Sequence, residues 1–184
     1  MKSRKITMLF VALLFISWSS NAQKNREQQD AATSQWKYDI ECYGGTARNG
    51  YKIVKVWTYS TKTNLATDQA KKNAVHGIIF KGFAGQQNTC KGSRPLMNKE
   101  ITDKEYKEFF DTFFQDGGEF NRFVTNAADY NGIAEVQKLF RKKKGRKKKK
   151  FDKYKIGIVV TVSTKELRKY LEKKNIINSL SNGF

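Results

Sequence analysis

No stretch of this chain restricts its fold more than FDKYKIGIVVTVS at positions 151–163. Tyr154, Ile156, Ile158, Val160 and Val162 recur at every second residue. That period places them in one row on one face of a β-strand. A row this apolar needs partner strands beside it and a covering layer over it. The partner on one side stands just upstream: IAEVQKLF (133–140) also reads as a strand. Between the two lies RKKKGRKKKK, nine cations in ten residues around Gly145. The unit predicts a long β-hairpin whose tip, 141–150, is basic.

The rest of the chain supplies the sheet and its cover. WKYDIEC alternates Trp36, Tyr38, Ile40 and Cys42 against Lys37, Asp39 and Glu41, which indicates a half-buried strand. Asn49-Gly50 is a hairpin turn pair, and YKIVKVWTYS after it is rich in β-branched and aromatic residues. From Asn64, an N-cap residue, the period changes. Ala66, Ala70, Ala74 and Ile78 recur every four residues and predict a helix whose small inner face lies close to the sheet. Residues 81–99 hold several glycines, the only proline (Pro95) and Cys90, and read as loop.

Thr102 and Glu105 then form a capping box, with Ile101 and Tyr106 as the hydrophobic staple around it. Tyr106, Phe109, Phe110, Phe113 and Phe114 fall on one helical face that ends at Gly117-Gly118. An aromatic stripe at this spacing is core. Residues 119–128 mix periods and are compatible with a strand. TKELRKYLEKKNII closes the chain as a helix with Leu167, Tyr170 and Leu171 on its apolar face. The order β-β-α-α-β-β-β-α predicts an α+β domain over 36–178. Its antiparallel sheet has about four to five strands with two to three helices packed on it.

The two ends carry different information. Lys2, Arg4 and Lys5 precede the thirteen-residue apolar run Ile6–Trp18, and Ser20 and Ala22 stand at −3 and −1 of a cut after residue 22. Charged start, short apolar middle and small-residue exit make 1–22 a cleavable signal peptide. A spanning helix would need about 20 apolar residues, so no transmembrane segment is expected after cleavage. The residue after the cut is Gln23, not a lipid-accepting Cys. Residues 23–35 form a polar leader and 179–184 a flexible tail. Removing the peptide's three cations from a formal charge of +19 leaves +16 on 162 residues. Such a chain is drawn to anionic surfaces whatever its fold. The expected location is periplasmic or secreted, and the style of the leader points to a bacterial source. In an oxidising compartment Cys42 and Cys90 either pair as a disulfide or stay as two buried thiols.

Enzymatic chemistry finds little foothold. The lone histidine, His76, lies inside the alanine-spaced helix and reads as a surface or satisfied helix residue. The near pairs of carboxylates are Asp103 with Glu105 and Asp111 with Asp116, and the first pair offsets a helix dipole. Phosphate-loop, nucleophile-elbow and zinc-protease motifs are missing from the sequence, and no cysteines or histidines have metal-ligand spacing. The expectation is a non-enzyme without metal or cofactor.

The strand pair, the Ala66-x3-Ala70-x3-Ala74 helix, the YKIGIVVTV strand and the closing LRKYLEKKNII helix together resemble the N-terminal domain of the flagellar assembly T protein and its small outer-membrane lipoprotein relatives. The resemblance spans roughly 36–177 and does not include the basic insert. It implies a non-catalytic assembly role in the envelope and carries over no functional residue. The residues themselves point to Arg141, Lys142, Lys143, Lys144, Arg146, Lys147, Lys148, Lys149 and Lys150 as a grip on a polyanion, with Phe140 and Phe151 bracketing the run. A membrane surface or lipopolysaccharide is the favoured anion in an exported protein, and extracellular nucleic acid is the competitor. Two other readings stand beside it: a solvated loop of no function, and an accessory protein that docks a protein partner in an envelope complex.

Overall fold

A computed structural model describes residues 36–44, 50–60, 65–86, 90–97, 106–127, 133–142, 145 and 149–178. The expected signal peptide, polar leader, Thr102–Glu105 capping box and C-terminal tail lie outside these residues, as do 143–144 and 146–148 of the basic run. The elements are β1 (Asp39–Cys42), β2 (Tyr51–Ser60), α1 (Leu65–His76), α2 (Lys107–Phe113), β3 (Val124–Asn126), β4 (Ile133–Lys142), β5 (Lys149–Ser163) and α3 (Thr164–Lys173). Their order is β-β-α-α-β-β-β-α, and the arrangement is α+β, as the alternation of periods predicts.

Strand β5 organises the sheet. One of its edges pairs antiparallel with β2 from Tyr51↔Ser163 to Ser60↔Tyr154. Along its other edge β3 pairs with residues 160–162 and β4 with residues 149–158. β1 closes the sheet on the far side of β2. All pairings are antiparallel, so short connections suffice and a helix layer is needed on one face only.

That covered face is built by the two-residue period. Val54, Val56, Ile156, Ile158, Val160 and Val162 are fully buried, and Ala70, Ala74 and Val75 of α1 with Ile78 and Ile79 just after it answer them, also fully buried. The small alanines let the helix backbone approach, while Leu167 and Leu171 of α3 and Phe110, Phe113 and Phe114 at α2 complete one continuous core. The aromatic stripe of 106–114 is core, with Tyr106 and Phe109 at its rim.

Two local differences from the sequence expectation have physical causes. The helix from residue 65 changes to one π turn at Gly77–Lys81, closed by Gly82 N–H donating to the Gly77 carbonyl at 2.7 Å. Consecutive Ile78 and Ile79 are both fully buried there, and their carbonyls accept from Leu96 and Met97 N–H at 3.1 and 3.0 Å. The widened turn frees those carbonyls for the 90–97 segment. Residues 119–128 are not one strand: Glu119–Phe123 is a 3₁₀ turn, followed by the three-residue β3. The 3₁₀ period of three buries Phe120 and Phe123 together. His76, expected on a surface or as a satisfied helix residue, takes the second place: it is buried at the end of α1 with its Nδ1 at hydrogen-bond distance from the Tyr38 hydroxyl.

Candidate functional site

The expected site lies where β5 outruns the sheet. Its last partner in β2 is Ser60, opposite Tyr154. Among the described residues, Lys149–Lys153 are therefore paired by β4 alone, as a two-stranded ribbon. The register sets Leu139 opposite Lys153, Phe140 opposite Phe151, Arg141 opposite Lys150, and Lys142 opposite Lys149, with an irregularity between Leu139 and Phe140. Four of the nine sequence-predicted cations, Arg141, Lys142, Lys149 and Lys150, thus occupy facing positions on two strands. Of the remaining five, Lys143, Lys144, Arg146, Lys147 and Lys148, all lie outside the described residues. Gly145 has φ +83°, a left-handed conformation that glycine adopts without steric cost. Phe140 is 53% exposed, which removes it from the core and leaves its ring at the surface beside the run.

A polar network fastens the base of this ribbon to the sheet on the face away from the helices. The Lys55 ammonium on β2 donates to Glu135 of β4 at 2.9 Å and stands 3.9 Å from Glu41 of β1. It also lies 4.1 Å from the Trp57 ring centre, with Lys155 of β5 at 4.7 Å from the same ring. The Trp57 indole N–H donates to Glu41 at 3.0 Å. Gly157, the β5 partner of Trp57, makes this possible: a Cβ there would lie 2.9 Å from the indole and 2.7 Å from Lys55 Cε. The Lys55 bond is the largest cause holding the Glu135 carboxyl below its ordinary pKa, and Gln137 adds a second hydrogen bond.

Sequence reasoning missed two cations that belong to this region. Lys153 sits 4.9 Å from the Tyr59 ring centre, at the foot of the ribbon, and Lys155 lies one alternation further. Phe151-Asp152 separates both from the uninterrupted run. The two-residue period, which puts Lys153 and Lys155 on the face opposite Tyr154 and Ile156, was the signal that could have found them.

No family model matches this chain, and no curated protein and no solved structure matches it either.

The other candidate chemistry is dispersed. His76 packs between Trp36, stacked at 3.7 Å, and Phe80 at 4.7 Å, and its Nδ1 lies 2.6 Å from the Tyr38 hydroxyl. Asp111 pairs with Lys107, and Asp116 accepts from buried Lys72 at 2.7 Å. Each of these two carboxylates is thus committed to a lysine. Cys42 and Cys90 are disulfide-bonded, with Cα atoms 6.1 Å apart, and tie the end of β1 to the 90–97 segment. This span is one that a disulfide bridges. Among the described residues no cluster of His, Cys, Asp or Glu could hold a metal ion, and no helix is long and apolar enough to cross a membrane. A groove of about 1280 Å³ runs between α2, α3 and the β3 edge, floored by Phe109, Phe123 and Tyr170. Burial there raises the pKa of the Tyr170 hydroxyl, and Glu119 adds to it.

Proposed function

We propose that this chain is an exported, non-catalytic protein that grips an anionic surface through the β4–β5 ribbon and the run it carries, residues 141–150. The favoured surface is a membrane or lipopolysaccharide headgroup layer. The register of the ribbon carries this reading. Arg141 faces Lys150 and Lys142 faces Lys149 beyond the last pairing with β2. Like charges at facing positions on paired strands repel. In the free protein that repulsion is an unfavourable term, and an anion lying along the ribbon would relieve it. Several cations at a surface, each worth about 1 kcal/mol, bind firmly with little demand for shape.

The test replaces all nine cations of 141–150 by Ser and Gly and measures co-sedimentation with vesicles of mixed zwitterionic and anionic phospholipid. Binding by the parent chain is expected at low salt and should fall steeply as salt rises. The replaced chain should keep its circular dichroism spectrum and lose binding. Unchanged binding would reject the proposal. Displacement of the parent by single-stranded oligonucleotide but not by lipopolysaccharide would move the assignment to nucleic acid.

A further inference from the structure

β4 lies at the edge of the sheet formed by the described residues. Among the described residues no strand pairs it on the side away from β5. Glu135, Val136, Gln137 and Lys138 are all exposed, Val136 at 46% and Phe140 at 53%. An edge that shows apolar side chains beside unpaired backbone groups is a template for another strand.

We propose that this edge pairs antiparallel with β4 of a second copy of the chain, in a two-fold register centred on Lys138. That register sets Val136 opposite Phe140, Gln137 opposite Leu139 and Glu135 opposite Arg141, each pair occurring twice by symmetry. Val136 thus meets an apolar ring and Glu135 meets a base, while Gln137 against Leu139 is neither matched nor opposed. Only Lys138 meets its own kind. Shifting the centre to Gln137 sets Val136 against Lys138, and shifting it to Leu139 sets Lys138 against Phe140 and Gln137 against Arg141. An odd shift puts Val136 opposite Leu139, from the other face of the strand. Of these, the Lys138 centre alone sets Val136 against Phe140 and Glu135 against Arg141. It also points the two basic runs in opposite directions. Their Lys142 positions, the last in β4, would stand roughly 26 Å apart along the strands at about 3.3 Å per residue. That is several Debye lengths at physiological salt, so their mutual repulsion is screened. One strand edge with a Lys–Lys contact at its centre makes a weak, concentration-dependent pair, with Kd roughly in the micromolar to millimolar range.

The pairing is read by cysteine cross-linking of the otherwise intact chain, using a short bismaleimide and a denaturing gel. Lys138→Cys should form a covalent dimer. Val136→Cys alone should not, because its two copies would stand four positions apart. Mixing Val136→Cys with Phe140→Cys should restore cross-linking. In sedimentation velocity, Val136→Lys with Phe140→Lys should weaken association about tenfold or more, and Lys138→Thr should strengthen it. Equal cross-linking of Lys138→Cys and Val136→Cys would overturn the register. A Lys138→Cys chain that stays monomeric, while an added extended apolar peptide protects β4 amides from exchange, would assign the edge to a foreign strand. A chain that keeps Arg141 but lacks the eight cations from Lys142 to Lys150 should still cross-link through Lys138→Cys, so loss of vesicle binding and loss of pairing are separate results.

Discussion

Along β5, the stretch from Ile156 to Val162 and the stretch from Lys149 to Lys153 share a backbone ladder and little else. The first has strands on both edges, and Ile156, Ile158, Val160 and Val162 are fully buried beneath the helices. Among the described residues the second is paired on one edge only, by β4, and its partners include exposed Phe140. Hydrophobic burial holds the first in one register, since a one-residue slip would turn its apolar row to the outside. The second inherits its register from the first, and its described side chains, Asp152 and Lys153, are only half-buried. A structure divided this way can carry an extreme charge run at low cost to stability, because the run sits where the fold makes no demands.

The division is broken or sharpened most strongly by truncating one residue on each side of it. Ile158→Ala should destabilise the protein by about 4 kcal/mol, as expected for a fully buried isoleucine, whereas Phe140→Ala should change stability by less than about 0.5 kcal/mol. Urea denaturation of both variants reads the contrast, and comparable losses would show that the ribbon shares the core's cooperative unit. Next in size is Asp116→Ala. It removes the 2.7 Å ion-pair contact of the Lys72 ammonium, whose side chain is 3% exposed, and should cost about 2 kcal/mol, as for a lost charged hydrogen bond. Lys72→Met with Asp116→Ala should recover most of that loss, because a buried pair is replaced by apolar packing.

The smallest effect concerns the joint between the two regions. Glu135 has its folded pKa lowered, first by the Lys55 hydrogen bond and then by Gln137. Such a group contributes stability above its unfolded pKa, and that contribution is lost as pH falls through the folded value. Acidification below the ordinary carboxylate range should therefore loosen β4 before the β2–β5 ladder. Amide exchange should rise first in β4, and Glu135→Gln should abolish the pH dependence of that difference. Simultaneous loosening of β4 and β2 at acid pH would refute this.

Much of the core was legible because its periods are clean. The alternation in 151–163 marked the core face of β5, and the alanine spacing marked the face of α1 that lies on the sheet. The row beside those alanines was not legible. Gln69, Lys72, Asn73 and His76 are buried as well, because α1 is enclosed on more than one side. A polar residue reads as exposed until its partner, such as Asp116 for Lys72, is brought from 44 positions away. The candidate site divides in the same way. The nine cations are obvious in the chain, but the facing of Arg141 with Lys150 depends on strand register. The Lys55–Glu135 tie at the ribbon base joins residues 80 positions apart.

By itself, then, the sequence determined the strand and helix periods, the α+β order and the position of the charge run, because each depends on neighbours within a few residues. Only the tertiary structure decided that β4 is an edge, that β5 outruns β2 by five residues, and that Trp57 lies across Gly157 between two lysines. Those facts come from how strands separated by many residues align. That alignment is set by the burial of the whole apolar face together, which no local stretch of the chain encodes.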